Sequence, residues 1–251
     1  MKTEKPYTEA QLRAMMPGTP ANVAQTLRAF HGDPKIKKHY LSRVEMHAKA
    51  DEIIHGKYWE DGKGCAVGCT IHSANHAAYE SELGIPRVLA HLEDGIFESL
   101  ENGESKKWPR RFLSAIEPGA DLGMVWPRFS VWLLVDAKWG CIKYARTDSQ
   151  RKAIQGVADA YQRVIERSDT VEDWFKLRAA ADDAAAADAD AAAAAAAADA
   201  AAADTYAAAD AAAAYAHDAA DDDDAAAADA RRSARLAQSK KLLELLKAVE
   251  A

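Results

Sequence analysis

Between Ala179 and Ala230 every residue is Ala except thirteen Asp, Thr205, Tyr206, Tyr215 and His217. This stretch restricts the chain more than any other, because it supplies almost nothing for a core and nothing that favours strand pairing. Ala has the highest helix propensity, since it loses no side-chain entropy on ordering. Asp costs at most about 0.7 kcal/mol at an interior helical position. Over this length propagation outweighs the cost of nucleation. The stretch predicts one long helix, or a helical hairpin if Asp221–Asp224 form a turn.

Its acids are spaced. Asp188, Asp199, Asp210 and Asp221 recur every eleven residues, and Asp218 and Asp229 repeat the interval. Eleven residues span three turns at about 3.67 per turn, so such a stripe stays almost straight on a helix. The other faces are nearly pure Ala and suit close helix–helix contact, in a hairpin, a dimer or a complex. A solvated low-complexity spacer is the plain alternative. Beyond Ala230 the sequence turns basic and amphipathic, with Arg231, Arg232, Arg235, Lys240 and Lys241 beside Leu236, Leu242, Leu243, Leu245, Leu246 and Val249. Acids early and bases late suit the helix macrodipole. The Leu face predicts core packing or a dimer seam.

Core material lies upstream. All six Trp and all five Phe fall at or before Phe175. Strand signals are scarce, and the periodicity predicts helices over Lys37–Ile54, Ile71–Leu83, Pro86–Leu100, Trp108–Ile116 and Pro127–Ala137, with a loop over His55–Gly64. A further helix opens at the capping-box pair Thr147 and Gln150 and runs to about Arg167. Pro127–Ala137, apolar on most faces, is the expected central helix. The fold class is therefore all-α: a compact helical domain over 1–170, then an Ala/Asp-rich helical arm over 171–251.

Charge divides along the same line. Residues 179–251 carry thirteen Asp and two Glu against three Lys and three Arg, a net −9 within a whole-chain −7. A near-neutral body with an acidic arm is not a direct nucleic-acid binder, which needs a basic stripe. As a mimic of duplex DNA the arm is dilute, with one charge per roughly 6 Å along a helix against one per about 1.7 Å in DNA. The arm resembles alanine-rich type I antifreeze helices in its period, but their repeated Thr is reduced to Thr205. Neither a secretory leader nor a membrane-spanning stretch is evident, and three Cys are an odd number, so a reducing cytoplasmic location is expected.

The most chemical stretch is GKGCAVGCTIHSANHAAYE, residues 62–80. Cys65, Cys69, His72 and His76 stand four, three and four apart. On one straight helix they share a face but cannot surround an ion; a bend at Gly64 or Gly68 would let them form a tetrahedral Cys2His2 zinc site. A second reading makes one Cys a nucleophile at a helix N-terminus with His72 as its base. A third makes Lys63, Gly64, Cys65 and Gly68 a loop for an anionic ligand, although the Gly-Lys-Ser/Thr ending of a phosphate loop is missing. The plain reading is of small buried thiols beside a tight turn, with hydrogen-bonded or exposed imidazoles. Tyr79 and Glu80 are secondary candidates, Arg110 and Arg111 read as a solvated face, and Glu93–Asp94 read as helix-surface acids.

GKGCAVGCTIH, YESELGIPRVLAHLEDGIFESL and the Ala-rich tail together resemble an uncharacterised group of phage, prophage and metagenomic proteins. That resemblance implies a phage accessory protein acting on a host or defence factor. The expected function is a non-enzymatic interaction protein that self-associates or grips a partner through residues 179–251. The competing expectation is an enzyme built on the Cys/His stretch, by metal-assisted hydrolysis or a Cys nucleophile.

Overall fold

The computed structural model describes residues 27–167 and 224–251, so residues 1–26 and the Ala/Asp stretch before Asp224 lie outside the described residues. What is described is mostly helical, as expected, with one short hairpin. Helix α1, Pro34–Lys49, starts where Asp33 accepts the Lys35 N–H at 2.7 Å and Pro34 fills the first turn. Its buried Tyr40, Val44 and His47 stand four and three apart on one face. Strands β1, Trp59–Glu60, and β2, Lys63–Gly64, pair antiparallel within the stretch expected as a loop.

Helices α2, Ala66–Ile71, and α3, Ala78–Leu83, replace the single expected Ile71–Leu83 helix. The break has a local cause. His72 closes α2 in the left-handed conformation, at φ 54. Ser73 Oγ then takes the Asn75 N–H at 3.0 Å, and Asn75 Oδ1 takes the Ala77 N–H at 3.1 Å. Such side-chain bonds compete with the helical ladder. Gly84 ends α3 at φ 63 and lets the Arg28 carbonyl approach to 2.1 Å of where a Cβ would stand.

Helix α4, Arg87–Ser99, follows Pro86 and is buried along Leu89, Ala90 and Leu92 through Phe97. After a one-turn helix over Asn102–Ser105 come α5, Trp108–Ser114, and α6, Val125–Val135. Burial on nearly every face belongs to α4 as much as to the expected central helix α6, whose Val131, Trp132 and Val135 are only partly covered. Helix α7, Asp148–Ile165, opens with the predicted capping box: Thr147 Oγ1 accepts from Gln150 N at 3.2 Å, and Gln150 Oε1 accepts from Thr147 N at 3.1 Å. Ile154, Val157, Tyr161 and Val164 then face the core.

Helix α8, Asp224–Lys247, includes the last Asp of the DDDD run and packs against α4 and α6. Leu242 and Leu246 are fully buried in the same core cluster as Leu89, Ile96 and Phe129. Arg232 reaches Glu101 at 2.8 Å. The amphipathic end of the chain is thus core packing within the body, one of the two roles its Leu face predicted. No helix among the described residues is long and apolar enough to cross a membrane. Removing a buried Leu side chain leaves a cavity that costs about 2–5 kcal/mol. Leu246→Ala is expected to lose that much in urea denaturation, and a loss under about 1 kcal/mol would show that α8 is not built into the core.

Candidate functional site

The Cys/His stretch is organised by a carbonyl. The Tyr58 oxygen sits so close to the β2–α2 junction that a Cβ on Gly64 would lie 2.1 Å from it, and one on Gly68 1.5 Å. Only glycine permits that approach. Cys65 N–H donates to Lys57 O at 2.7 Å and Tyr58 O at 3.2 Å, and Gly64 N–H donates to Glu52 O at 3.0 Å. Gly68 N–H donates to Cys65 Sγ at 3.4 Å, which caps α2. The expected anion loop of Lys63, Gly64, Cys65 and Gly68 therefore spends these amides inside the chain, with Lys63 exposed at its edge. Its glycines seat the hairpin.

The two thiols are closed off. Cys65 is 1% exposed, and burial together with the neighbouring Asp94 carboxylate pushes its pKa far up. Cys69 donates to Gly64 O at 3.3 Å and Glu52 O at 3.6 Å, and burial pushes it up to about 12. Cys141 is buried elsewhere, donates to Leu134 O at 3.6 Å and is likewise pushed up to about 12. A nucleophile needs its thiolate, and these surroundings favour the thiol.

The two imidazoles part company. His72 lies on one side with His47 and Glu52. His47 Nδ1 is 2.6 Å from Glu52 Oε2, His47 Nε2 is 2.8 Å from His72 Nε2, and His72 stacks on the Trp59 indole at 4.4 Å. Arg43 stands nearby, donating to Thr70 O at 2.8 Å and to His39 Nε2 at 2.8 Å. Partial burial, then the positive charge of Arg43, hold the His72 pKa below its usual value.

His76 lies on the other side. It stacks on His91 at 4.3 Å, meets the Tyr58 ring edge-on at 5.3 Å, and brings Nε2 to 3.4 Å from Asp94 Oδ2 without hydrogen-bond alignment. Cys65, Cys69, His72 and His76 thus do not converge on one point. Among the described residues no group of three or more His, Cys, Asp or Glu is placed to hold a metal ion.

Behind His76, α4 carries what sequence reading took for surface acids. Glu93 is 0% and Asp94 5% exposed. Glu93 Oε2 accepts the Tyr79 hydroxyl at 2.6 Å, its backbone carbonyl accepts Trp108 Nε1–H at 3.0 Å, and its Oε1 has no hydrogen-bond partner among the described residues. Burial, then the charge of Asp94, raises the Glu93 pKa well above the usual carboxylate range, so the acid is held neutral. Arg110 and Arg111 lie on the exposed face expected of them, paired with Glu45 and Glu104 at 2.5 Å each. Glu80 is exposed and accepts the Arg87 N–H at 3.0 Å.

Sequence reasoning missed His47 and Glu52. The available signal was the register of α1, where His47 continues the buried series of Tyr40 and Val44. An imidazole on the core side of a helix needs a polar partner, and Glu52 lies five residues on.

Two measurements follow from this geometry. Iodoacetamide is expected to alkylate the native thiols about a hundredfold or more slowly than the urea-unfolded ones at mildly alkaline pH. Rapid stoichiometric labelling of Cys65 in the folded protein would overturn the burial argument. For Glu93 the folded form keeps its proton while the unfolded acid ionises near its ordinary value of about 4.3. Above that pH the unfolded chain binds fewer protons than the folded one, so stability falls as pH rises towards the folded pKa. Glu93→Gln keeps an acceptor for Tyr79 and removes the ionisation. Its stability relative to wild type is expected to improve by about 1.4 kcal/mol per pH unit through that window. Urea denaturation at about pH 5 and about pH 8 checks this; a difference that does not change with pH would mean Glu93 is ionised in the fold. In the comparison with known proteins, no family model, curated protein or solved structure matches this chain.

Proposed function

We propose that this chain is a non-enzymatic interaction protein whose Ala/Asp segment associates with a second copy of itself. The observation that carries the reading is where the segment is attached. Helix α7 precedes it and helix α8 follows it, and both pack against α6. The segment is therefore joined at both ends to helices of the packed body. Its Ala/Asp part has only Tyr206 and Tyr215 as large apolar side chains. It has little to give a core; what it offers is Ala surface, which lets a helical partner approach closely, and spaced carboxylates.

The body supports a binding role in a second way. Its buried thiols are held protonated, and the polar groups of the Cys/His stretch mostly engage one another. That pattern fits a scaffold. The basic end of the chain is also committed to the body, since Arg235 is buried and Arg232 pairs with Glu101. Contact between copies therefore rests on Ala packing against a background of carboxylate repulsion, and salt screens such repulsion. The resemblance to phage proteins supports an accessory role in which the same surface meets a host factor.

The test replaces residues 168–223 with a flexible Gly/Ser linker of about twenty residues and leaves α8 in place. By circular dichroism the body stays folded, and by light scattering the mass falls from that of an oligomer to that of a monomer. Added salt strengthens the wild-type association. An identical mass for the two proteins overturns self-association.

A further inference from the structure

The geometry points to His47 and His72 as a two-imidazole site for a divalent transition-metal ion of the zinc, cobalt and nickel class, with Glu52 holding His47 in place and water completing the coordination. Two Nε2 atoms 2.8 Å apart can hold only one proton between them. At least one lone pair is therefore already aimed at the position between the rings. The Glu52 carboxylate on His47 Nδ1, at 2.6 Å, keeps a proton on that nitrogen and leaves Nε2 as the donor atom. A carboxylate on the far nitrogen of a ligating His is the usual outer partner of such sites, since it fixes the tautomer and raises ligand basicity.

The rings are placed to accept an ion. They cross at 83°, so each lone pair can meet an ion between them without ring contact. Nitrogens bound at about 2.0–2.1 Å to a tetrahedral ion stand about 3.3 Å apart, so the pair opens by about half an ångström. The proton His72 carries on Nε2 in the present bond moves to Nδ1, which frees the second lone pair. His72 is exposed at the end of α2, which gives the ion access, while His47 is buried and fixed. Arg43 opposes a cation here; the carboxylates of Glu52 and Glu82 offset it. Imidazole suits this class of metals rather than magnesium or calcium. The site differs from a Cys2His2 arrangement: it uses neither Cys65 nor Cys69, and it has two protein ligands.

The experiment uses the full chain, titrated with zinc in competition with a chromophoric chelator, and cobalt as a spectroscopic probe. Wild type is expected to bind one equivalent of zinc, and the cobalt form to lack thiolate charge-transfer absorption. His72→Asn removes the imidazole and tolerates the left-handed backbone at this position; it is expected to weaken binding at least tenfold. Glu52→Gln weakens it by about 10–100-fold. Cys65→Ser, Cys69→Ser and His76→Ala leave it unchanged. Should His47→Ala fail to fold, the exposed His72 position still decides the matter. Absence of a stoichiometric zinc site, or unchanged affinity in His72→Asn, overturns the proposal.

Discussion

The Tyr58 carbonyl, pressed against Gly64 and Gly68, is the contact on which this region of the molecule depends. It locks the β1–β2 hairpin over the start of α2, and from that lock the side-chain arrangement on both flanks follows. Trp59 is brought onto His72 on one side, while the Tyr58 ring meets His76 on the other. Cys65 is shut beneath the hairpin, where its sulfur caps α2 and its thiol sits beside Asp94. Any side chain at Gly64 or Gly68 would push the carbonyl away, and each of these placements would change with it. A Gly-rich run that looks made for an anion is here made for a neighbouring stretch of backbone.

That distinction explains what was legible in the chain. Local rules were readable: the Thr147–Gln150 capping box, a helix end at Leu83, and the helical periods of α4, α5 and α6 all stand as predicted within a few residues. The failures share a different cause. The Ile71–Leu83 pattern keeps a helical period straight through a break made by Ser73 and Asn75 side chains bonding backbone. Glu93 and Asp94 read as surface because acids usually are. Their burial depends on Tyr79, Trp108 and His76, which reach them only through the tertiary fold.

The candidate site follows the same logic. The four-three-four spacing of Cys65, Cys69, His72 and His76 is a property of an unbroken helix. Once His72 turns left-handed, the spacing loses its meaning and the four side chains serve two environments. His72 finds its partner in His47, twenty-five residues earlier on another helix. No short motif encodes that pairing. A polar residue in the buried register of α1 was the one local sign of it.

The C-terminal helix then recasts the Ala/Asp segment. A free arm would need only one attachment, and its amphipathic tip would be available to bind. Leu242 and Leu246 instead complete the core against α4 and α6, so that tip is spent on folding. Tethering both ends of an insert makes its closure entropy grow only slowly with length, so a long low-complexity segment is carried at little cost to the fold. The packing of α7 and α8 against α6 then fixes where the first of these helices ends and the second begins, whatever the length of chain between them.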